Sequence, residues 1–209
     1  MSARDISGYR YGGAELGHQH AYLLPTLFRL LDRLGLPDGQ RRLFELGCGN
    51  GSVANVLAQR GWDVTGVDPS VEGIAQAAAY PDLRLECGSA YHDLAGRYGR
   101  FPVVLSLEVV EHVYAPRDYA RTVFDLLLPG GVAILSTPYH GYWKNLALAL
   151  TGRMDRHFTA LWDHGHIKFW STATLGELLR EAGFVDLRFE RVGRIPALAK
   201  SMIAVARKP

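Results

Sequence analysis

Leu43-Phe44-Glu45-Leu46-Gly47-Cys48-Gly49-Asn50-Gly51 is a short apolar run that meets an acidic residue and then breaks into three glycines spaced by two. The run is bounded as a buried parallel strand is, and Ser52-Val53-Ala54-Asn55-Val56-Leu57-Ala58 has the apolar spacing of a helix that stops at Gly61. Strand, tight turn and helix follow one another. Gly47, Gly49 and Gly51 lack a Cβ, so the backbone can take positive φ and let a ligand lie against it, while the helix start aims N–H groups at an anion. The turn reads as a ligand cradle.

Two cofactor classes use such a cradle. Gly49-x-Gly51-x-x-Ala54 fits a dinucleotide fingerprint, with Asp68 at the distance of a ribose ligand. That reading would make the chain a nicotinamide oxidoreductase. Taken as one unit, Glu45-x-Gly47-x-Gly49-x-Gly51, with Asp68-Pro69-Ser70 closing the next strand, resembles motif I of class I S-adenosylmethionine-dependent methyltransferases. The resemblance implies S-adenosylmethionine as cofactor and S-adenosylhomocysteine as product. It also implies a methionine carboxylate facing the helix and ribose hydroxyls on Asp68. The cofactor shell it suggests is Glu45, Gly47, Gly49, Asp68, Pro69, Ser89, Ala90 and the backbone around Leu107 and Glu108.

Length and composition narrow the field. At 209 residues the chain suits one large domain, and a formal charge of +2 with both signs dispersed gives no basic stripe to follow a phosphate backbone, so nucleic acid is not expected. No apolar stretch is long enough to cross a bilayer and the first residues lack an apolar signal core, which leads to a cytoplasmic expectation. Cys48 and Cys87 are the two cysteines; the second strand of the implied sheet separates them, so reduced thiols are expected.

Residues 1–36 read as a glycine- and tyrosine-rich arm followed by a helix with Tyr22, Leu23, Leu27, Leu30, Leu31 and Leu34 at three-to-four spacing. By the same resemblance this helix folds over the cofactor mouth, making Tyr9, Tyr11, His18 and His20 candidate lid residues and Tyr11 a candidate cofactor contact. The resemblance implies that residues 37–209 form the class I methyltransferase domain. Strands are expected at 62–67, 83–87, 101–107 and 132–136, with helices at 116–128 and after Ser171. Two closing strands, from Phe184 to Val192 and Ser201 to Arg207, have no helix between them and so form an antiparallel hairpin. The fold class is α/β: a single Rossmann-like seven-stranded, mostly parallel sheet with helices on both faces and an aromatic, histidine-rich insertion after the fifth strand.

The fourth strand runs into Glu108-Val109-Val110-Glu111-His112. This segment, and the Leu128-Pro129-Gly130-Gly131 turn, are similar to the small-molecule methyltransferases related to the ubiquinone-pathway O-methyltransferases. Helical spacing places Glu108, Glu111 and His112 on one face toward the cleft, and the carboxylates are expected to raise the imidazole pKa. His112, steadied by Glu111, is the candidate base for an acceptor hydroxyl, with His166 and then His164 across the cleft. The main reading uses no metal. A variant has Glu108, Glu111, His112, Asp163, His164 and His166 gathering a divalent cation.

The insertion at 138–170 holds four of the eight histidines and three of the four tryptophans, the composition of an aromatic-walled lid over a small acceptor, aromatic or lipid-like. A homodimer contact or a membrane-touching flap is its alternative role. The expected activity is methyl transfer to a hydroxyl, or an amine, of a small molecule; the competing activities are the oxidoreductase and a methyltransferase acting on RNA or protein.

Overall fold

Apolar runs and their punctuation set the element order in the computed structural model, which describes residues 12–163 and 165–209. Helix α1 (His20–Asp32) leads, followed by β1 (Arg42–Leu46), α2 (Ser52–Gln59), β2 (Asp63–Asp68), α3 (Val71–Ala77) and β3 (Arg84–Cys87). Then come α4 (Leu94–Tyr98), β4 (Phe101–Leu107), α5 (Pro116–Asp125) and β5 (Leu127–Pro138). The insertion supplies α6 (Tyr142–Leu150) and α7 (Met154–Phe158), and α8 (Thr172–Glu181), β6 (Val185–Val192) and β7 (Ser201–Arg207) complete the series.

The seven strands lie in the order β3-β2-β1-β4-β5-β7-β6. β1 to β5 pair in parallel, whereas β7 runs antiparallel to both β5 and β6. The expected terminal hairpin is therefore present, with β7 inside it and β6 at the edge. Strand order reverses between β1 and β4, and in an open parallel sheet the crevice beyond the carboxyl ends at that point is where ligands bind.

Alternation along the central strands sends side chains to two separate cores. Leu43, Val103, Leu105, Val132 and Ile134 meet α1 and α2 on one face through Leu23, Leu27, Val53 and Leu57. Phe44, Leu46, Val104, Ala133 and Leu135 meet α5 and α8 on the other through Tyr119, Val123, Leu175 and Leu179. Strands buried on both faces read as continuous apolar runs, which is why they are legible in the sequence.

Three local expectations need correction. The Glu108–His112 segment is not helical: Glu108 sits at φ 54°, a left-handed conformation that breaks the helical path, and turns follow. Glu108 and His112 still line the cavity in the cleft, but Glu111 turns inward, so the three do not share one helical face. Second, the Pro-Gly-Gly turn lies within β5, where pairing with β4 jumps from Phe101 and Leu127 to Val103 and Val132. Gly130, at φ 76°, donates its N–H to the Lys208 carbonyl, so the turn is laced to the end of β7. Third, the helix expected over 116–128 ends at Asp125, because Leu127 already pairs with β4. Cys48 and Cys87 are both free, with β2 between their strands. No helix among the described residues is long and apolar enough to cross a membrane.

Candidate active site

The turn after β1 is shaped by the end of β2. Gly47, Gly49 and Gly51 have φ of 84°, 53° and 75°, a region costly for any residue with a Cβ. Added methyls would also collide, with the Val109 side chain at Gly47 and with Leu85 Cδ1 at 2.7 Å at Gly51. The N–H groups of Gly47 and Cys48 donate to the Val67 carbonyl at 2.8 and 3.1 Å, and that of Gly49 donates to Asp68 Oδ2 at 2.9 Å. Asp68 Oδ1 accepts the Ser70 N–H at 2.8 Å. Ser70 itself caps α3 through its hydroxyl, leaving Asp68 to the turn and the cavity.

Asn50, unnoticed in the sequence, is buried and lines the cavity beside the glycines. Its Oδ1 accepts the Ser52 N–H at 3.2 Å, so one of the α2 N–H groups expected to meet an anion is already satisfied. Its Nδ2 donates to the carbonyls of Gly13 and Glu15 at 2.7 and 3.0 Å, and the Tyr80 hydroxyl donates to that of Ala14. Residues 13–15 are thereby strapped to the glycine turn, ahead of Gln19 and His20.

A cavity of about 390 Å³ opens at the switch point between β1 and β4. It is lined by Glu45, Gly47, Gly49, Asp68, Pro69, Ser89, Ala90, Leu107 and Glu108, which is the whole expected cofactor shell apart from Tyr11. Tyr11 and His164, like Tyr9, lie outside the described residues. Gln19, Val109, Val113 and Tyr91 also line it; hydrophobic patterning gives no signal for them. His20, expected as a lid residue, reaches the wall, and burial lowers its pKa. Ser89 Oγ accepts the Tyr91 N–H at 3.3 Å, which leaves the hydroxyl proton to donate.

Glu45 is nearly inaccessible, and its Oε2 has no hydrogen-bond partner. Burial first, and the Asp68 charge second, push its carboxyl up to about 8. An orphaned carboxylate oxygen beneath a cavity is suited to a cationic group, because a buried charge is tolerated only when paired. Glu108 is held differently: Oε1 accepts from Ser136 Oγ at 2.8 Å and Oε2 from Ser201 Oγ at 3.4 Å. Burial still raises its pKa to about 7.

At the opposite wall stand His112, His166 and Trp162, with the two imidazole centroids 4.9 Å apart and Trp162 5.6 Å from His112. The Nδ1–H of His112 donates to the Gly165 carbonyl at 3.1 Å, an arrangement that leaves Nε2 as the proton-accepting nitrogen of the neutral ring. The Gly165 carbonyl holds the ring from one side, and a carboxylate oxygen of Glu111, expected to steady it, lies within 4.8 Å of a ring nitrogen. Once the segment leaves the helical path, Glu111 turns inward, 1% exposed, and its carboxyl pKa is driven well up by burial and then by the Glu108 charge. Burial chiefly, then His112, lowers His166 to about 4, so that ring is neutral at physiological pH. Ligand atoms of Glu111, His112 and His166 lie within 4.8 Å of one another; Glu108 and the exposed Asp163 are not in this group.

The rest of the insertion divides in two. Tyr139 and Trp170 are core residues, joined by a β-bridge, with Trp170 Nε1 donating to the Val110 carbonyl at 3.0 Å. His140, His157, Phe158 and Phe169 form a ring cluster beside α6 and α7. The aromatic wall of the cavity is thus Trp162 and Tyr91 with the imidazoles of His20, His112 and His166.

A family model described as a methyltransferase domain matches residues 17–188. The chain belongs to this methyltransferase-domain family. Among curated proteins it is similar to a ubiquinone biosynthesis O-methyltransferase of Caulobacter sp. (strain K31), 42% identical over 116 residues, covering 53% of this chain and 46% of that protein. It is also similar to one from Cereibacter sphaeroides, 34% identical over 153 residues, covering 71% of this chain and 62% of that protein. The chain thus spans about half to three-fifths of the curated relatives it matches. Among solved structures, a SAM-dependent methyltransferase of Thermotoga maritima, described as a possible histamine N-methyltransferase, superposes with a TM-score of 0.64 at 20% identity, over 91% of both chains. At that identity the likeness is one of fold, and it agrees with the Rossmann-like seven-stranded sheet.

Proposed function

We propose that the chain transfers the methyl group of S-adenosylmethionine to a hydroxyl, or an amine, of a small molecule. The observation carrying this reading is that one cavity joins the glycine turn, the orphaned Glu45 oxygen and Asp68 to the His112–His166 wall. The residues fit the cofactor: Glu45 takes the methionine ammonium, Asp68 the ribose hydroxyls through its remaining lone pairs, and Ser89 with Ala90 the adenine edge. When bound, the cofactor supplies a methyl group already activated on a sulfonium, which the acceptor oxygen attacks as sulfur departs with the bonding pair. What the protein adds is alignment and proton removal. His112 Nε2 takes the acceptor proton while Gly165 holds the ring, and Trp162 and His166 wall the acceptor off from water. The similarity to ubiquinone biosynthesis O-methyltransferases favours oxygen as the acceptor atom and a cyclic, phenol-like molecule.

A second reading has an observation of its own, the convergence of Glu111, His112 and His166. Two imidazoles and a carboxylate suit a divalent cation such as zinc or manganese, which when bound would acidify an acceptor hydroxyl. A labelled-methyl screen against phenols, catechols, sugars and amines, with and without chelator, tests both. Chelator-resistant transfer supports His112 as base; transfer that is lost and then restored by added metal supports the cation. A melting temperature raised by NAD and indifferent to S-adenosylhomocysteine would replace both with the oxidoreductase.

A further inference from the structure

Helix α6 presents its apolar face to solvent. Tyr142, Trp143, Leu146, Ala149 and Leu150 recur at the spacing of one helical stripe, the face that a helix ordinarily lays on a core. Here Tyr142, Trp143 and Leu150 are 73, 63 and 79% exposed, and no residue of α6 is buried. Polar groups take the inner side instead: Lys144 Nζ donates to the Lys200 carbonyl at 3.2 Å, and Asn145 Oδ1 is closed off from solvent. The Tyr142 and Trp143 rings stand edge to face with centroids 5.2 Å apart and project together. The apolar surface also reaches a second element. α6 packs against the short turn at Pro196–Leu198 between β6 and β7, and beside that turn Ile195 is 64% exposed. Large apolar side chains gathered on one outer surface mark an interface.

Charge decides what covers it. Residues 139–154 and 191–200, the two segments that build this surface, contain Lys144, Arg153, Arg191, Arg194 and Lys200 and no aspartate or glutamate, whereas the whole chain is nearly balanced at +2. Arg153 and Arg194 are exposed, and neither makes an ion pair among the described residues. A second copy meeting this face across a two-fold axis would bring both sets of cations together with no carboxylate between them, which disfavours self-association. Aromatic and aliphatic side chains rimmed by arginine suit the boundary of a bilayer with anionic headgroups. Trp and Tyr settle there at headgroup level, and each Lys or Arg near the surface strengthens binding about fivefold.

We propose that the outer face of α6, with Ile195 and the flanking Arg153 and Arg194, is a docking surface for an anionic lipid bilayer. At nine residues the helix is too short to span a membrane, so it lies in the plane of the interface with its stripe among the acyl chains and its arginines on the headgroups. α6 follows the carboxyl end of β5, the edge of the sheet on which the cavity opens, so docking brings that edge to the lipid. The surface is independent of what the cavity methylates.

The test is sedimentation of the full chain with vesicles of phosphatidylcholine alone and of phosphatidylcholine with about one third phosphatidylglycerol. The anionic vesicles bind it at least about tenfold more tightly, and added salt erodes the difference. Leu150→Glu weakens that binding by about tenfold or more, and Arg153→Glu with Arg194→Glu removes the preference for anionic lipid, all at the melting temperature of the parent chain. Trp143 is the one exposed tryptophan, so its emission moves to the blue on docking and is quenched by brominated acyl chains, and Trp143→Phe removes both signals. No binding to either vesicle, equal binding to both, or binding untouched by Leu150→Glu overturns the proposal. A dimer that Leu150→Glu dissociates, without vesicle binding, assigns the face to a second copy; retention on immobilised polyglutamate but not on vesicles assigns it to an acidic protein. Either result overturns the lipid surface. Quenching in the parent chain decides the matter even where a variant fails to fold, because Trp143 emission left unquenched by brominated anionic vesicles is incompatible with docking.

Discussion

Glu45 is ionisable and inaccessible, with Oε2 lacking a hydrogen-bond partner, and such a residue reports on what binds above it. With its folded pKa raised to about 8, it keeps its proton after an unfolded chain would have ionised. The ligand-free protein therefore loses stability as pH climbs from the ordinary carboxyl range to about 8. A cationic ammonium reverses that preference, so S-adenosylhomocysteine affinity should rise with pH up to about 8, with a proton released on binding, and Glu45→Gln should flatten the profile. Calorimetry in two buffers of different ionisation enthalpy counts that proton; an affinity independent of pH would remove the ammonium from Glu45. At Asp68, substitution by Ala should weaken the same ligand by about 1–3 kcal/mol, the cost of hydrogen bonds lost in a desolvated site. His112→Ala should instead lower turnover at nearly unchanged affinity, and a full-speed variant would end its role as base. The cofactor side was legible because glycine spacing and a strand-end aspartate are local signals. The partner of His112 was not: the Gly165 carbonyl is 53 residues away and carries no side-chain signature.

Between elements, the strap over the glycine turn has the clearest mechanical meaning. Asn50 ties residues 13 and 15 to the turn on which the cofactor would rest, and Gln19 and His20 of the cavity wall follow directly. Asn50 contributes two neutral hydrogen bonds of about 0.5–1.5 kcal/mol each, beside the one from Tyr80. Asn50→Ala should speed S-adenosylhomocysteine release, read by stopped-flow displacement, and strip amide-exchange protection from residues 13–19. Protection that persists would show the segment to be held by its other contacts, Tyr80 among them. The leading helix was readable from its leucine spacing; resemblance alone implied a fold over the mouth, and of this helix only His20 lines the cavity. Asn50 looked like an ordinary loop residue because its partners are main-chain carbonyls. The Glu108–His112 segment misled for the converse reason, since helical spacing is present but the φ of 54° at Glu108 overrides it.

Across the whole molecule, β1, β4 and β5 contribute alternate side chains to both cores, so neither face can melt while the other stays packed. One cooperative transition is expected, with far-ultraviolet and tryptophan signals coinciding, and S-adenosylhomocysteine at about a hundred times its dissociation constant should add about 2.7 kcal/mol. Two separated transitions would contradict this coupling. The sheet was readable from buried runs and the missing helix before β7, whereas the insertion was not, because rings destined for core and cavity look alike in composition. β7 is synthesised after β6, yet its place is between β5 and β6, where Met202 and Ile203 are fully enclosed. Until it leaves the ribosome, the nascent chain carries β5 as a bare, apolar edge able to template pairing with another polypeptide. Translation stalled before Ser201 should yield chaperone-bound or aggregated product, so the sheet stays open to wrong partners until one internal strand has emerged.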